Sequence, residues 1–221
     1  MKQTKLYHAV LFDLDGTLTD PEEGITRSFR HALRRFGIEE TDQNKLRQVI
    51  GPPLLESFVR LYGFSQLDAL LSVETYREYF SKTGIFENKI YPGIEEMLQA
   101  LKEGGLKLAV ATSKPTVFAN RILEHFHIAR YFDFVAGSEL DGTRTDKAEV
   151  IRWALSHIGE PPESAVMVGD RKHDMIGAVK TGTYPLGALY GYGSREELTE
   201  AGAKHLAQTP SEIGEYILTD L

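Results

Sequence analysis

Short runs of hydrophobic residues recur along the chain, and each run ends at a polar or glycine-rich junction. The runs are nearly continuous rather than alternating, which is typical of strands buried on both faces of a parallel sheet. Five strands are predicted, over HAVLFDLD (8 to 15), LKLAVATS (106 to 113), FDFVAGS (132 to 138), SAVMVGD (164 to 170) and YPLGALYG (184 to 191). Helical patterns such as IEEMLQALKEGG separate them. This alternation predicts an α/β domain with a doubly wound parallel sheet.

A long helical insertion interrupts this pattern. About ninety residues separate the first predicted strand from the second, far more than one crossover helix needs. Apolar residues repeat with a period near 3.6 over residues 25–36, and two further amphipathic stretches follow. Successive amphipathic helices can bury their apolar faces against one another as a bundle. The predicted architecture is an α/β core domain, residues 1–16 and 90–221, that carries a helical cap domain, residues 17–89.

The composition narrows the class of protein. The chain has 221 residues, of which 42% are hydrophobic and 26% charged, as in an ordinary globular protein. Its net charge of -7 argues against a general nucleic-acid-binding protein, because phosphate backbones are held by clustered Lys and Arg. A small anionic substrate stays possible, since a local site can be positive on an acidic protein. The absence of Cys excludes disulfides, thiolate metal sites and cysteine nucleophiles.

The hydrophobic runs are too short for a membrane. None approaches the ~20 residues that a membrane-spanning helix needs. The first run is interrupted by Asp13 before it could serve as the core of a secretory signal. We therefore expect a cytoplasmic protein with no membrane partner. The sequence leaves a monomer and a homodimer equally open.

Carboxylates collect where the predicted strands end. Asp13 and Asp15 end the first strand, and Asp170 and Asp174 follow the fourth strand and open a helix. In an open α/β sheet, ligands bind beyond the carboxyl ends of the strands. Each pair alone has a simpler explanation, a solvated turn for the first and a helix-start preference for the second. Together they predict a Mg²⁺ site, because four carboxylates repel one another and Mg²⁺ prefers oxygen ligands.

Donor groups at the end of the second strand extend this prediction to a reaction. Thr112, Ser113 and Lys114 lie there. A Mg²⁺ ion beside an ionised Asp, facing Thr and Lys donors, suits phosphoryl transfer. Asp13 could attack phosphorus to form an aspartyl phosphate. Asp15, crowded by another carboxylate, is expected to have a raised pKa, to protonate the leaving oxygen and then to activate a water.

The motifs resemble the haloacid dehalogenase superfamily, and within it the phosphatases with a C1-type helical cap inserted after the first motif. The resemblance rests on DLDGTLTD, the Thr112-Ser113 strand end, a downstream Lys and GDRKHD, which occur in the family's order. The chain is most similar to the phosphoglycolate phosphatase group and its nucleotidase and pyrophosphatase relatives. The resemblance implies a Mg²⁺-dependent phosphatase of a small phosphorylated metabolite, of the phosphoglycolate or nucleoside monophosphate type.

The resemblance also implies a role for each carboxylate. Asp13 is the implied nucleophile and a metal ligand. Asp15 is the implied general acid and base, and its backbone carbonyl also reaches Mg²⁺. Asp170 ligates the metal, and Asp174 holds the waters of the metal. The dehalogenases of the superfamily lack the second Asp, so the presence of Asp15 favours a phosphatase.

The implied phosphate contacts are Gly16, Thr112, Ser113 and a lysine of the third motif. In the family this lysine precedes a helix and is often followed by Pro. Lys147, in GTRTDKAEVIRWAL, is the better match, although its Pro is missing. Lys114, in SKP, is the rival, and it directly follows the Thr-Ser pair of the second motif.

Two other functions stay open. A phosphosugar mutase of the β-phosphoglucomutase type would share the aspartyl phosphate but return the phosphate to the sugar. A binding protein for phosphorylated metabolites would keep the site without useful turnover.

Several other residues have structural explanations. GYGSREEL, at 191 to 198, begins like a dinucleotide-binding loop but is predicted to be a helix start capped by Ser194. Trp153 is predicted to lie in the core. Arg27 and Arg47 are predicted to lie on an exposed face of the cap. The position of Arg171 is left open between a phosphate contact and a solvated surface.

Overall fold

A parallel sheet of six strands forms the centre of the fold, in the order β5-β4-β1-β6-β7-β8. The computed structural model describes residues 7–219. In chain order, the strands of this part are β1 (Ala9–Phe12), β2 (Thr19–Asp20), β3 (Lys89–Ile90), β4 (Lys107–Pro115), β5 (Phe134–Ser138), β6 (Ala165–Gly169), β7 (Tyr184–Ala188) and β8 (His205–Ala207). β2 and β3 form a separate two-stranded sheet.

The register of the sheet fixes where the strands end. β1 lies between β4 and β6, and Phe12 is aligned with Val110 on β4 and with Val168 on β6. All four residues of β1 are buried, because helices cover both faces of a doubly wound sheet. Since the strands run parallel, the segments that follow these three positions emerge at the same edge.

Ten α-helices accompany the strands in the described part of the chain. They are α1 (Glu22–Arg34), α2 (Gln43–Arg47), α3 (Leu54–Tyr62), α4 (Gln66–Tyr79), α5 (Ile94–Glu103), α6 (Thr116–His125), α7 (Lys147–Ile158), α8 (Lys172–Thr181), α9 (Arg195–Glu200) and α10 (Pro210–Thr219). None of them combines the length and the hydropathy that a membrane span requires.

The chain divides into two compact units, Met1–Thr19 with Ile90–Leu221, and Asp20–Lys89. The first, called here the α/β unit, contains the six-stranded sheet and α5 to α10. The second, the helical unit, contains α1 to α4 and a π-helical segment, Phe80–Gly84. The sequence predicts the first boundary after residue 16, and the units divide after Thr19.

Aromatic stacking forms the core of the helical unit. Phe29 on α1 is fully buried, and its ring stacks on that of Phe58 on α3, with centroids 4.0 Å apart and planes at 12°. The ring of Tyr76 on α4 meets Phe29 edge-on at 6.3 Å. The apolar stripes of three helices therefore meet at Phe29.

The predicted fold class is confirmed, and all five predicted strands are present, but the end of the first strand is wrong. The prediction extends this strand to residue 15, whereas β1 stops at Phe12. Beyond it the chain turns back, because the N–H groups of Leu18 and Thr19 both donate to the carbonyl of Leu14, at 2.9 and 3.0 Å. Asp13 and Asp15 therefore lie on this turn and not on a common strand face. β8 was not predicted, because three residues are too few to show a pattern.

The predicted burial of Trp153 is wrong. The buried stripe of α7 includes Val150, Ile151 and Leu155, but Trp153 is 41% exposed. Each helical residue advances the side chain by about 100°, so Trp153 lies roughly 200° away from Ile151. Its ring instead contacts the guanidinium of Arg144, 4.8 Å from the ring centroid.

We expect Phe29→Ala to lower the free energy of unfolding of the helical unit by about 3 to 5 kcal/mol, the usual cost of truncating a buried Phe. Leu67→Ala on α4 is the control, because Leu67 is 76% exposed, and its effect should stay within about 0.5 kcal/mol. Urea denaturation measures both. Equal losses in the two variants would contradict the assignment of the core to Phe29.

Candidate active site

Polar residues from four segments of the α/β unit meet beyond the carboxyl edge of its sheet. Asp13 and Asp15 follow β1, Thr112 and Lys114 belong to the end of β4, and Asp170 follows β6. The first residue of α7 and the third of α8 complete the site, Lys147 and Asp174. The side chains of Asp13, Lys147, Asp170 and Asp174 are all almost completely buried. The structure thus brings together the carboxylates that the sequence predicts.

The ammonium group of Lys147 lies at the centre of this cluster. Its Nζ is 3.0 Å from Oδ1 of Asp13 and 2.8 Å from Oδ1 of Asp174, and it donates to the carbonyl of Ala111 at 3.1 Å. Burial alone would lower the pKa of Lys147, but the two carboxylates outweigh burial and raise the pKa above its ordinary value. The lysine is therefore charged, and it bridges the segments after β1 and β6.

The start of α7 explains why Lys147 is held there. The side chain of Asp146 caps the helix by accepting hydrogen bonds from the N–H groups of Ala148 and Glu149. The buried stripe of α7 packs against β1, β4 and β6. Capping and packing together fix the helix start beneath the carboxylates.

Asp174 has two structural roles at once. Its Oδ2 accepts the N–H of Arg171 at 3.0 Å, as part of the cap of α8, while its Oδ1 faces Lys147. Burial raises the pKa of Asp174, although Lys147 opposes this effect. The helix-start preference considered from the sequence is thus real, and it coexists with membership of the buried cluster.

Lys114 pairs with the other carboxylate of the first motif. Its Nζ lies 2.7 Å from Oδ2 of Asp15, and the exposed fractions of the two side chains are 7% and 12%. Burial raises the pKa of Asp15, Lys114 lowers it, and the charge of Asp13 raises it again, so that the net shift is upward. The two candidate lysines therefore contact different carboxylates, Lys147 that of Asp13 and Lys114 that of Asp15.

Asp170 is fully buried without a lysine within ion-pair distance in the described part of the chain. Its carboxylate accepts the hydroxyl of Thr17 at 3.3 Å on Oδ1 and the N–H of Tyr192 at 2.8 Å on Oδ2. Burial and the charges of Asp174 and Asp13 raise the pKa of Asp170 well above its ordinary value. Neutral hydrogen bonds alone do not balance the charge of this carboxylate.

The arrangement fits a hard divalent cation. One oxygen from each of Asp13, Asp170 and Asp174 lies within 4.8 Å of the others. Three carboxylates face one ammonium, so the buried cluster has excess negative charge. Oδ1 of Asp174 is buried and faces Lys147 at 2.8 Å, with no other partner in the described part of the chain. Oxygen ligands in this number are those that Mg²⁺ prefers. The carboxylate of Asp15 is not part of this group.

The remaining predicted contacts lie around the same edge. The hydroxyl of Thr112 accepts the N–H of Lys114 at 3.2 Å, and the carbonyl of Ser113 accepts the hydroxyl of Ser138 at 2.8 Å. Gly16 has a φ of 82°, and a Cβ there would overlap the carboxylate of Asp170. Glycine at this position thus allows the first motif to approach Asp170 closely.

The arginines are engaged by carboxylates. Arg171 donates from Nε to Glu197 at 2.9 Å. Arg47 pairs with Glu22 at 2.9 Å, and Arg27 pairs with Glu23 at 2.8 Å and also with Glu87. The side chains of Arg27 and Arg47 are about half exposed, which confirms the prediction for these two residues.

Sequence reasoning missed the contacts that Thr17, Tyr190 and Tyr192 make around Asp170. Thr17 is part of DLDGTLTD, but its role depends on a turn that the motif alone does not specify. The sequence predicts a helix start after β7, and α9 does begin at Arg195 with Ser194 as its cap. One feature of the sequence could have indicated these contacts. Aromatic residues alternate with glycines directly after a strand, and ligands bind at the strand ends of such sheets.

The chain is similar to several known proteins. A 5'-nucleotidase of Pseudomonas aeruginosa is 52% identical over 192 residues, which cover 87% of this chain and 87% of that protein. PtkA of Mycobacterium tuberculosis, named a tyrosine-protein kinase, is 41% identical over 184 residues, which cover 83% of this chain but 62% of PtkA. The crystal structure of a predicted phosphatase from Clostridium acetobutylicum has a TM-score of 0.94 at 48% identity, covering 97% of this chain and 99% of that chain.

The family model of the haloacid dehalogenase-like hydrolases matches residues 10–188, which span the first motif, the helical unit and every residue of the buried charge cluster. The resemblance inferred from the motifs is thereby confirmed. The chain belongs to the haloacid dehalogenase-like hydrolase family.

Proposed function

We propose that the chain is a Mg²⁺-dependent phosphatase that hydrolyses a small phosphorylated metabolite through an aspartyl phosphate on Asp13. The observation that carries the proposal is the buried contact of Lys147 with both Asp13 and Asp174, beside a second carboxylate–lysine pair, Asp15 and Lys114. Two carboxylates from one motif, each with its own lysine, are suited to two separate roles.

Asp13 is the proposed nucleophile. Its Oδ1 accepts the N–H of Leu14 at 2.8 Å and faces Lys147, and both interactions orient the carboxylate. The ammonium of Lys147 lies 3.0 Å from this carboxylate, and its charge also stabilises negative charge on a phosphoryl group beside Asp13. Thr112, nearly buried at the end of β4, supplies a hydroxyl at the same edge.

Asp15 is the proposed general acid and base. Its pKa is raised by burial, which favours a carboxyl group that can give a proton to the leaving oxygen. Its buried Oδ1 has no hydrogen-bond partner in the described part of the chain. A buried oxygen without a partner is costly, and a substrate or water proton would satisfy it. After the leaving group departs, the same carboxylate can take a proton from the attacking water.

Mg²⁺, when bound, would supply positive charge that stabilises the transferring phosphoryl group. We assign it to the carboxylates of Asp13, Asp170 and Asp174 and the backbone carbonyl of Asp15. We further propose that the helical unit acts as a cap that keeps bulk water from the site during turnover, as lids do in other enzymes.

The leading substrate class is the nucleoside 5'-monophosphates. The name and the 52% identity of the Pseudomonas aeruginosa 5'-nucleotidase support it. Phosphoglycolate, which the motif resemblance implies, is the second candidate. PtkA is a longer protein than the stretch that matches this chain, and its kinase activity is not carried over.

Asp13→Asn should reduce turnover by about 10⁴-fold or more, because it removes the nucleophile and keeps the size of the side chain. The exposed Asp141→Asn is a matched control and should retain normal turnover. Phosphate release under saturating substrate measures both, and circular dichroism verifies folding. Normal turnover of Asp13→Asn would rule out the aspartyl phosphate.

The two lysines are separated by Lys147→Met and Lys114→Met. We expect Lys147→Met to lower kcat/KM by about 10²- to 10³-fold, because Lys147 contacts the nucleophile. With p-nitrophenyl phosphate as substrate, Lys114→Met should lower kcat/KM by a smaller factor, because this leaving group needs no proton from Asp15. Lys180→Met, an exposed lysine of α8, is the control. A larger loss in Lys114→Met than in Lys147→Met would reverse the assignment.

A substrate panel tests the reaction itself. Phosphate release is measured from nucleoside 5'-monophosphates, phosphoglycolate, sugar phosphates and pyrophosphate, with Mg²⁺ and with excess chelator. We expect release that depends on Mg²⁺ and is concentrated on one class. Isomerised sugar phosphate without free phosphate would replace the hydrolase with a mutase, and tight binding without any release would replace it with a binding protein.

A further inference from the structure

We propose that residues 189–194, called here the tyrosine loop, are a positioning element that holds Asp170 against the first motif and thereby sets the affinity for the divalent cation. The inference rests on the proposed function, because it concerns the same cation site. Tyr190 is the positioning side chain, and the backbone N–H of Tyr192 is the second contact. The loop lies between β7 and α9, in sequence remote from the four motifs.

The first contact fixes the orientation of Asp170. The N–H of Tyr192 donates to its Oδ2 at 2.8 Å, and the hydroxyl of Thr17 reaches its Oδ1 at 3.3 Å. One donor on each oxygen prevents rotation of the carboxylate about its last bond. One donor comes from the tyrosine loop and the other from the first motif.

The second contact joins the same loop to the backbone of the first motif. The hydroxyl of Tyr190 donates to the carbonyl of Thr17 at 2.8 Å. Burial raises the pKa of Tyr190, so its hydroxyl keeps the proton that it donates. The ring is held edge-on by Tyr91, with centroids 5.1 Å apart and planes at 68°. Thr17 is thereby held through its carbonyl and in turn donates its hydroxyl to Asp170.

The third observation is the close approach of the backbone between the two tyrosines. A Cβ at Gly191 would overlap both the carbonyl oxygen of Gly16 and the side chain of Asp170. A Cβ at Gly193 would overlap the carbonyl oxygen of Asp170. The glycines let the loop pack directly on Asp170, which accounts for the GYG pattern that the helix start alone does not require.

Repulsion among the carboxylates gives these contacts their importance. Asp13, Asp170 and Asp174 hold like charges in a buried volume, and the contacts with Thr17 and the tyrosine loop hold Asp170 in place against this repulsion. If one of these contacts is lost, Asp170 can move away from Asp13. The cation must then bring the carboxylates together again, which uses part of its binding free energy and lowers its affinity. Changes in groups that orient metal ligands typically weaken metal affinity by about 10- to 100-fold.

The test compares Tyr190→Phe with Tyr216→Phe. Each change removes one tyrosine hydroxyl of the α/β unit, but Tyr216 is hydrogen-bonded to Tyr184, at 2.6 Å, and not to the first motif. Binding of Mg²⁺ to the free proteins is measured by isothermal titration calorimetry, with Mn²⁺ binding by electron paramagnetic resonance as a second readout. We expect Tyr190→Phe to bind either ion about tenfold more weakly than the original protein, and Tyr216→Phe to bind normally.

A kinetic measurement separates positioning from general damage. With p-nitrophenyl phosphate, the Mg²⁺ concentration for half-maximal rate should rise about tenfold in Tyr190→Phe, while kcat at saturating Mg²⁺ recovers to within about threefold. Unchanged metal affinity in Tyr190→Phe would overturn the inference and leave the phosphatase intact. Equal weakening in both variants would also overturn it. If the original protein binds neither ion, the metal assignment of the proposed function fails, and the inference fails with it.

Discussion

The fold depends on the neutralisation of buried carboxylates at one edge of its sheet. Removing a carboxylate from water is costly unless an opposite charge or good hydrogen bonds replace the water. Lys147 provides the opposite charge for Asp13 and Asp174, and Lys114 provides it for Asp15. Because Lys147 is the first residue of α7, the packing of that helix on the sheet determines where the charge lies. Asp170 is left to neutral donors, which is why the cluster as a whole still favours a cation.

Much of the fold could be predicted because burial on both faces leaves a clear trace in the sequence. The runs around Val110 and Val168 are almost continuously hydrophobic, so the sequence predicts these strands, although it does not place the end of β1. The end of β1 is set by hydrogen bonds to the carbonyl of Leu14, which the residue types do not reveal. The prediction for Trp153 is wrong because it considers only that this hydrophobic residue is close in sequence to the buried stripe of α7. Its angle around the helix places the side chain outside that stripe.

Two rules predict the candidate site from the sequence: the position of residues at strand ends, and the order of the motifs. Both rules predict that the four aspartates lie at one edge of the sheet, and the structure places Asp13, Asp170 and Asp174 in one group, with the carboxylate of Asp15 outside it. Residue types do not decide between Lys114 and Lys147, since both side chains are buried and each has a carboxylate partner. The sequence does not reveal the role of the tyrosine loop, because its glycines and serine also suit a helix start. Ser194 does cap α9, while the N–H of Tyr192 in the same segment contacts Asp170.

The strand order has a consequence for how such a chain is made. β1 precedes the helical unit in the chain, whereas its two neighbours in the sheet, β4 and β6, follow it. Until β4 has left the ribosome, this hydrophobic strand has no native neighbour in the sheet, and exposed strands of this kind associate readily with other chains. The same strand leads directly into Asp13. The position of Asp13 therefore depends on strand pairings that β1 can make only after the whole helical unit has been synthesised.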